Sequence, residues 1–318
     1  MRTSVIGCGR WGSFIAWYLH GLGHEVTLYG REGSERMREI IATRGNGLVE
    51  FAPDVRLTCS LDDALEAELI CISIASQSLR ALMARIARRG VSGRTFVLCM
   101  KGLEIDTGKR LSEIATEAVC PGNDVAVWLG PGHVQQFLAG IPNCMVIDSP
   151  GEAVKERLVG ALSGELIRFY YGTDLIGNEI GAASKNVIGI AAGMLDGRGL
   201  SSLKGALMSR GTREIARLIA AMGGNELSAY GLCHLGDYEA TVFSQYSHNR
   251  RFGEAFIRGE AYNELAEGYH TVRALRMLAV RHGVELPICQ AVYRMLYEGA
   301  DAGEELGQLF TRSLKREF

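Results

Sequence analysis

The sequence predicts an α/β domain with a doubly wound, mostly parallel sheet over residues 1–180, followed by an all-α domain over residues 181–318. Two observations predict this order. In the first half, short and nearly continuous apolar runs alternate with segments of helical periodicity, which is typical of strands covered by helices on both faces. From Asn178 onward, apolar residues recur at spacings of three and four, which indicates packed helices.

The first half contains eight runs rich in β-branched and other apolar residues, and each predicts a strand. These strands are Ser4–Ile6, Glu25–Tyr29, Val55–Cys59, Leu69–Ala75, Thr95–Met100, Val125–Leu129, Cys144–Ile147 and Ile167–Tyr171. The segments between them predict helices at Trp11–Leu22, Arg31–Thr43, Ser76–Arg88, Asp106–Ala118 and Gly151–Leu162. In the second half, periodicity predicts helices at Leu207–Met222, Thr271–His282 and Cys289–Glu298.

Composition excludes several classes of protein. The 34 basic and 36 acidic residues give a net charge of -2, so we expect no nucleic-acid partner. No apolar run is long enough to span a bilayer, and the chain enters its first strand without a signal peptide, so we expect a cytoplasmic protein. The 8 cysteines are scattered and none forms Cys-x-x-Cys, which favours reduced, buried thiols and no metal site.

A glycine-rich turn between the first strand and the first helix predicts dinucleotide binding. Gly7, Gly9 and Gly12 fit G-x-G-x-x-G in Ile6-Gly7-Cys8-Gly9-Arg10-Trp11-Gly12. In this motif the glycines permit a tight turn, close approach to a pyrophosphate and close packing of helix on strand. The helix N-terminus then offers free N–H groups to the phosphates. Within a βαβ unit, the motif indicates a Rossmann domain.

The end of the second strand indicates which dinucleotide binds. It reads Leu28-Tyr29-Gly30-Arg31-Glu32. Arg31 can neutralise a 2′-phosphate, whereas Glu32 can accept a ribose hydroxyl. The expected cofactor is therefore NADP or NAD, and Arg31 favours NADPH over NADH.

Two lysines lie where hydride-transfer chemistry needs a proton donor and a group that fixes the substrate. Lys101 follows the strand Thr95–Met100, at the carboxyl end where ligands of open α/β sheets bind. Lys185 lies among small and apolar residues on a predicted helix, where an unpaired lysine is poor core material. The segment Ser247–Gly253 groups hydroxyl, amide and guanidinium donors that suit an anionic substrate such as a phosphate.

In this order, the motifs resemble the NAD(P)-dependent sn-glycerol-3-phosphate dehydrogenase family. The resemblance extends from Ser4 to Ser313. It rests on Gly7–Gly12, Ile74–Arg80, Lys101–Glu104, Gly130-Pro131, Glu179–Val187, Leu235–Asp237, Ser247–Gly253 and Ala266–Gly268. It implies reversible reduction of dihydroxyacetone phosphate to sn-glycerol 3-phosphate, a place in glycerophospholipid metabolism, and a small phosphorylated ketone or alcohol as the binding partner. By analogy of fold, we expect a homodimer.

The resemblance also implies site residues. Lys185 matches the residue that exchanges a proton with the substrate oxygen, Lys101 a lysine that polarises the carbonyl, and Asp237 a residue that orients Lys185. The implied substrate-binding residues are Lys101, Gly130, Asn186, Asp237, Thr241, Ser247, His248, Asn249 and Arg250. The implied cofactor-binding residues are Gly7, Gly9, Arg10, Trp11, Gly12, Arg31, Lys101, Val134, His248 and Glu267.

Three departures from the family pattern lie close to the expected substrate. Gly132 and His133 follow Gly130-Pro131, where Ser or Thr and then Phe are usual, and His248 replaces an arginine. Histidine is only partly charged near neutral pH and lacks the guanidinium fork. Two alternatives therefore stay open. One is a related dehydrogenase acting on another phosphorylated ketone or a 2-hydroxy acid, and the other is a non-catalytic dinucleotide-binding regulator.

Overall fold

The structure is a computed structural model that describes residues 1–311, so Arg312 and Ser313, and with them the end of the predicted helical domain, lie outside the described residues. The chain forms two compact units. The first contains Met1–Lys101 and Lys109–Leu175, and the second contains Gly102–Gly108 and the chain from Ile176 onward. The boundary predicted at residue 180 falls inside a long helix.

The first unit is built on an eight-stranded sheet of order β3-β2-β1-β4-β5-β6-β7-β8. The strands are β1 (Arg2–Ile6), β2 (Glu25–Tyr29), β3 (Arg56–Thr58), β4 (Leu69–Ile72), β5 (Thr95–Leu98), β6 (Asp124–Leu129), β7 (Asn143–Asp148) and β8 (Ile167–Tyr171). All pairs are parallel except β6 with β7. The eight predicted strands and the doubly wound sheet are confirmed. Chain order reverses beside β1, so the carboxyl ends of β1 and β4 flank the switch point where such sheets bind ligands.

Seven α-helices belong to the described part of the first unit. They are α1 (Arg10–Gly21), α2 (Glu35–Thr43), α3 (Leu61–Leu65), α4 (Leu79–Ala87), α5 (Leu111–Ala118), α6 (Val134–Leu138) and α7 (Glu152–Leu162). Helix α2 begins four residues later than predicted, because the Ser34 side chain caps it by accepting from the Met37 N–H. Helix α5 begins after Gly108, whose φ of 72° interrupts a helix starting at Asp106.

The second unit is helical, as predicted. Its α-helices are α8 (Leu175–Gly197), α9 (Lys204–Ala221), α10 (His248–Arg258), α11 (Glu267–His282), α12 (Pro287–Tyr293) and α13 (Ala302–Thr311). The unit also contains short π-helical turns at Glu239–Phe243 and Arg294–Glu298. Within the described chain, no helix is long and apolar enough to cross a membrane.

Helix α8 forms the centre of the second unit, and every residue from Glu179 to Leu195 is buried. Glycines let α10 approach it closely. A Cβ at Gly193 would lie 1.8 Å from the Arg250 carbonyl oxygen, and one at Gly253 would lie 2.1 Å from the Ile190 carbonyl oxygen. Backbones this close exclude any larger residue at either position, so α8 and α10 are held in a fixed relation.

Candidate active site

The glycine-rich turn has the geometry expected for a dinucleotide loop. Gly7 has a φ of 120°, and a Cβ there would lie 2.0 Å from the Ser73 carbonyl oxygen. A Cβ at Gly12 would lie 1.9 Å from the Gly7 carbonyl oxygen, so the start of α1 packs directly on the turn. Gly9 is the N-cap residue of α1, and the nearest atom to a Cβ there would be 3.8 Å away. The turn is tight at Gly7 and Gly12 and open at Gly9, which fits a bound pyrophosphate.

Four further residues proposed for the cofactor, Arg10, Trp11, Arg31 and Val134, lie in the first unit. Trp11 packs in α1 with its ring centroid 5.2 Å from Phe14 and 6.2 Å from Phe137. Val134 is buried in the first turn of α6, while Arg10 is half-buried. Arg31 is exposed in the loop before α2, rather than in a helical turn as predicted, because the helix is capped only at Ser34.

Lys101 and Gly130, which follow neighbouring strands β5 and β6, are brought together. The Lys101 ammonium donates to the Gly130 carbonyl oxygen over 2.7 Å. Gly130 has a φ of 126°, and a Cβ there would lie 3.0 Å from the Met145 Cα, so the close turn requires glycine. The structure thus places both residues at the carboxyl edge of the sheet, where the sequence predicted them.

In the second unit, Lys185 is part of a buried polar cluster. Its Nζ donates to Thr241 Oγ1 over 2.6 Å and lies 3.1 Å from Asp237 Oδ2. Thr241 Oγ1 in turn donates to the Asp237 carbonyl oxygen over 2.7 Å. The side chains of Lys185 and Asp237 are 10% and 1% exposed, so the charges form a nearly dry ion pair. Asn186, the next residue on α8, is also buried.

The start of α10 carries the other residues predicted to bind substrate. Ser247 caps the helix, its hydroxyl accepting from the Arg250 N–H over 3.3 Å. Asn249 Oδ1 accepts from the Gly268 N–H over 2.9 Å, which ties α10 to the first turn of α11, where Glu267 lies. A Cβ at Gly268 would lie 2.7 Å from the Asn186 carbonyl oxygen, so α8, α10 and α11 meet at this point.

Comparison with known proteins identifies the family. The profile of the NAD-dependent glycerol-3-phosphate dehydrogenase N-terminus matches residues 2–155, and that of the C-terminus matches residues 174–306. The chain belongs to the NAD-dependent glycerol-3-phosphate dehydrogenase family.

Individual relatives agree over the full length. A glycerol-3-phosphate dehydrogenase [NAD(P)+] of Pelodictyon phaeoclathratiforme is 35% identical over 100% of this chain and 99% of its own length. One from Thermotoga sp. is 38% identical over the same shares. The crystal structure of glycerol-3-phosphate dehydrogenase from Coxiella burnetii is similar with a TM-score of 0.91 and 28% identity, covering 98% of this chain and 99% of that one. The predicted family is therefore confirmed.

One departure from the glycerol-3-phosphate dehydrogenase pattern, at Gly132, has a local explanation. Gly132 has a φ of 150°, and a Cβ there would lie 2.4 Å from the Phe137 ring, so serine or threonine would be strained in this backbone. His133 is the N-cap residue of α6, which carries Phe137 and Val134. The change at position 132 thus belongs with the packing of α6 in this member of the glycerol-3-phosphate dehydrogenase family.

The guanidinium of Arg250 is engaged within its own unit. It lies 2.7 Å from Asp196 Oδ2 and 3.0 Å from Glu254 Oε2, and it donates to the Ser244 carbonyl oxygen over 3.1 Å. Lys204 shares the Asp196 carboxylate at 2.6 Å. These contacts give Arg250 a role in joining the end of α8 to α10.

The sequence motifs assign no role to His234, and the structure gives it a position of its own. Its Nδ1 lies 2.8 Å from the Gly181 carbonyl oxygen, one turn before Lys185 on α8, and its Nε2 lies 2.7 Å from the Tyr238 hydroxyl. Burial lowers the pKa of His234 to about 4, so the ring is neutral near pH 7. A neutral ring donates at Nδ1 and accepts at Nε2, and it joins the Asp237 segment to the Lys185 helix.

A separate cavity of about 580 Å³ lies between α9, α12 and α13 in the second unit. Most of its lining residues are apolar, and the others include Arg198, Arg210, Arg213 and Arg217. Neither Lys185 nor Asp237 lines it, so it is distinct from the cluster that carries the predicted chemistry. Among residues 1–311, no group of three or more His, Cys, Asp and Glu side chains could hold a metal ion.

Proposed function

We propose that the chain catalyses the reversible, NAD(P)H-dependent reduction of dihydroxyacetone phosphate to sn-glycerol 3-phosphate. The observation that carries this proposal is the buried Lys185 ammonium, paired with Asp237 and hydrogen-bonded to Thr241. The glycine turn that fits a dinucleotide and the membership of the family support the same reaction.

The proposed chemistry divides into hydride and proton transfer. When bound, a reduced nicotinamide supplies a hydride to the carbonyl carbon of the substrate. Lys185 Nζ gives a proton to the carbonyl oxygen as that bond is reduced, so C=O becomes CH–OH and the lysine is left neutral. In the reverse direction, neutral Lys185 takes the hydroxyl proton. Asp237 holds the amine in place and stabilises the ammonium whenever it is charged.

The other predicted residues have proposed roles that follow from their chemistry. Lys101 adds a positive charge that polarises the carbonyl, and Asn186 and Thr241 hold the substrate. Ser247, His248 and Asn249 bind the phosphate, whereas Arg250 acts indirectly by fixing α10. The proposed dinucleotide-binding residues are Gly7, Gly9, Arg10, Trp11, Gly12, Arg31, Lys101 and Val134 of the first unit, with His248 and Glu267 of the second.

We propose NADPH as the preferred reductant, because the exposed Arg31 guanidinium follows β2 at the position that neutralises a 2′-phosphate. We also propose a cytoplasmic homodimer. The cytoplasmic location is supported by the eight cysteines, all of which are free thiols, as is usual in a reducing compartment. Sedimentation velocity tests the dimer.

The reaction is tested with a panel of substrates, assayed by oxidation of NADH and of NADPH. We expect turnover of dihydroxyacetone phosphate, with the higher kcat/KM for NADPH. Inertness toward dihydroxyacetone phosphate, with turnover of another phosphorylated ketone or a 2-oxo acid, would favour the related dehydrogenase. Cofactor binding without turnover of any ketone would favour the regulator.

The role of Lys185 is tested by Lys185→Met, which removes the ammonium and keeps the length of the side chain. We expect kcat to fall about 10²–10⁴-fold while NADPH still binds. Lys155→Met is the matched control, because Lys155 is a buried lysine of the first unit that pairs with Glu152 and donates to a backbone carbonyl. Equal kcat values in the two variants would refute the assignment of Lys185.

A further inference from the structure

Two basic side chains lie on one face of α10 in its first turn. His248 is the first residue of the helix and Arg251 follows three residues later, so both project from the same side. Their side chains are 31% and 38% exposed, and Arg251 Nη2 lies 3.1 Å from His248 Nδ1. Two groups this close, each able to carry positive charge, favour a nearby anion.

A carboxylate of this chain lies against both of these groups. Glu264, in the loop between α10 and α11, places Oε2 2.5 Å from His248 Nδ1 and 3.2 Å from Arg251 Nη2. The Tyr262 hydroxyl lies 3.1 Å from the same His248 nitrogen, and the Arg251 guanidinium carbon lies over the Tyr262 ring, 5.8 Å from its centroid. One carboxylate oxygen thus bridges the imidazole and the guanidinium.

We propose that Glu264 is an internal competitor for the phosphate of the substrate, and that the phosphate displaces this carboxylate from His248 and Arg251. The proposal rests on the proposed function, in which His248 binds the phosphate. It also assigns to Arg251 the charge that is missing where the family has an arginine at position 248.

Charge explains why a phosphate replaces the carboxylate and a neutral substrate does not. A phosphate monoester carries a charge of about -1.5 to -2 at neutral pH and has three strong acceptor oxygens, whereas Glu264 carries a single charge. The Glu264 side chain is 52% exposed, so its ion pairs are weak enough to break. A ketone without a phosphate gains nothing by displacing Glu264. The carboxylate therefore raises the KM of phosphorylated substrates, which must displace it, and leaves the KM of an uncharged ketone unchanged.

Glu264→Gln tests this role, because it removes the charge and keeps the shape. We expect the KM for dihydroxyacetone phosphate to fall about two- to tenfold, with kcat unchanged, since two half-exposed ion pairs no longer compete. Glu260→Gln is the matched control, because Glu260 is an exposed carboxylate in the same loop. It should leave KM and kcat unchanged.

A second measurement separates this proposal from the proposed function. Calorimetric titration with inorganic phosphate alone needs no turnover, and we expect its affinity to rise about two- to tenfold in Glu264→Gln and not in Glu260→Gln. If dihydroxyacetone phosphate is not a substrate but phosphate binding tightens, the role of Glu264 stands and the reaction is wrong. Unchanged or weaker phosphate binding in Glu264→Gln would overturn the proposal, and so would a protein that binds no phosphate. Weaker binding would mean that Glu264 orients His248 and Arg251 for the anion.

Discussion

Asp237→Asn is the most direct perturbation of the buried pair. The substitution keeps the shape of the side chain and removes the charge that faces the Lys185 ammonium at 3.1 Å. Thr241 can still accept from Lys185, but a hydroxyl carries no net charge and cannot neutralise the ammonium. The variant therefore leaves a cation in a site where the lysine side chain is only 10% exposed.

The expected loss of stability follows from this burial. Removal of one partner from a buried ion pair costs about 3–5 kcal/mol, because the other charge is left uncompensated. Lys185→Met should have a similar effect, since it leaves the Asp237 carboxylate in a site where its side chain is 1% exposed. The double variant has no unpaired charge. Its cost should be smaller than the sum of the single costs by at least about 2 kcal/mol.

Urea unfolding, followed by two spectroscopic signals, measures the loss of stability and shows whether it falls on the second unit, where Asp237 lies. The chain has three tryptophans, at positions 11, 17 and 128, and all lie in the first unit. Tryptophan fluorescence therefore reports on the first unit, while far-UV circular dichroism also follows the helices of the second. Asp237→Asn should move the dichroism transition to lower urea and leave the fluorescence transition nearly unchanged.

An exposed pair of the same unit provides the control. Glu298 lies 3.5 Å from Arg276 with both side chains nearly half exposed. Glu298→Gln should therefore cost less than about 1 kcal/mol. If Asp237→Asn lowers the free energy of unfolding no more than Glu298→Gln does, the Asp237 carboxylate does not stabilise the buried ammonium of Lys185. The same reasoning would be refuted if the double variant lost as much free energy of unfolding as the two single variants together.

Two further predictions concern the packing and the titration of the second unit. In Gly193→Ala the new Cβ would lie 1.8 Å from the Arg250 carbonyl oxygen. This variant should destabilise the unit by about 1–3 kcal/mol or more. Gly205→Ala, where the new Cβ meets nothing within 4 Å, should cause no loss in the same urea experiment. Burial holds the pKa of His234 at about 4, below its usual 6.5, so the unfolded chain binds more protons between these values. Stability should therefore fall by about 3 kcal/mol on acidification through this window, and His234→Gln should remove that slope in unfolding measured from about pH 7 to about pH 4.

The sheet could be predicted from sequence because each strand is a short apolar run covered on both faces. The direction of β7 could not, since the antiparallel pairing of β6 with β7 leaves the same apolar pattern as a parallel one. Helix α10 was missed for a different reason. Its first residues, His248, Asn249, Arg250 and Arg251, are polar in an unbroken run, and the contacts that hold them, such as Gly193 against Arg250, come from a distant segment.

The site was only partly accessible to sequence reasoning. Gly7, Gly9 and Gly12 carry their own local signal, because three glycines at these spacings follow a strand and open a helix. The partners of Lys185 do not, since Asp237 and Thr241 lie more than fifty residues away in sequence and only the family resemblance pointed to them. Nothing in the local sequence predicts that His234 contacts α8, because that contact depends on how a loop folds onto the helix.

Burial alone does not distinguish the lysine proposed to transfer a proton from the other buried lysines. Lys155 and Lys204 are 6% and 7% exposed, about as buried as Lys185 at 8%. Both donate to a backbone carbonyl, Lys155 to Gly172 over 2.8 Å and Lys204 to Val242 over 3.0 Å. A lysine that left such a carbonyl would leave a buried acceptor without its donor, at a cost of about 1–3 kcal/mol. These two lysines are therefore fixed structural groups.

Lys185 differs in the kind of atom that its ammonium contacts. Its short hydrogen bond is to the hydroxyl of Thr241, which can rotate and also donates to the Asp237 carbonyl. A substrate oxygen can replace that hydroxyl as acceptor without leaving a buried carbonyl unpaired, while the Asp237 carboxylate keeps the amine in place. Proton transfer by a lysine requires an acceptor that the substrate can replace on one side of the ammonium and a fixed counter-charge on the other. For this reason the partners of Lys185, more than its burial, support its proposed role as the proton donor.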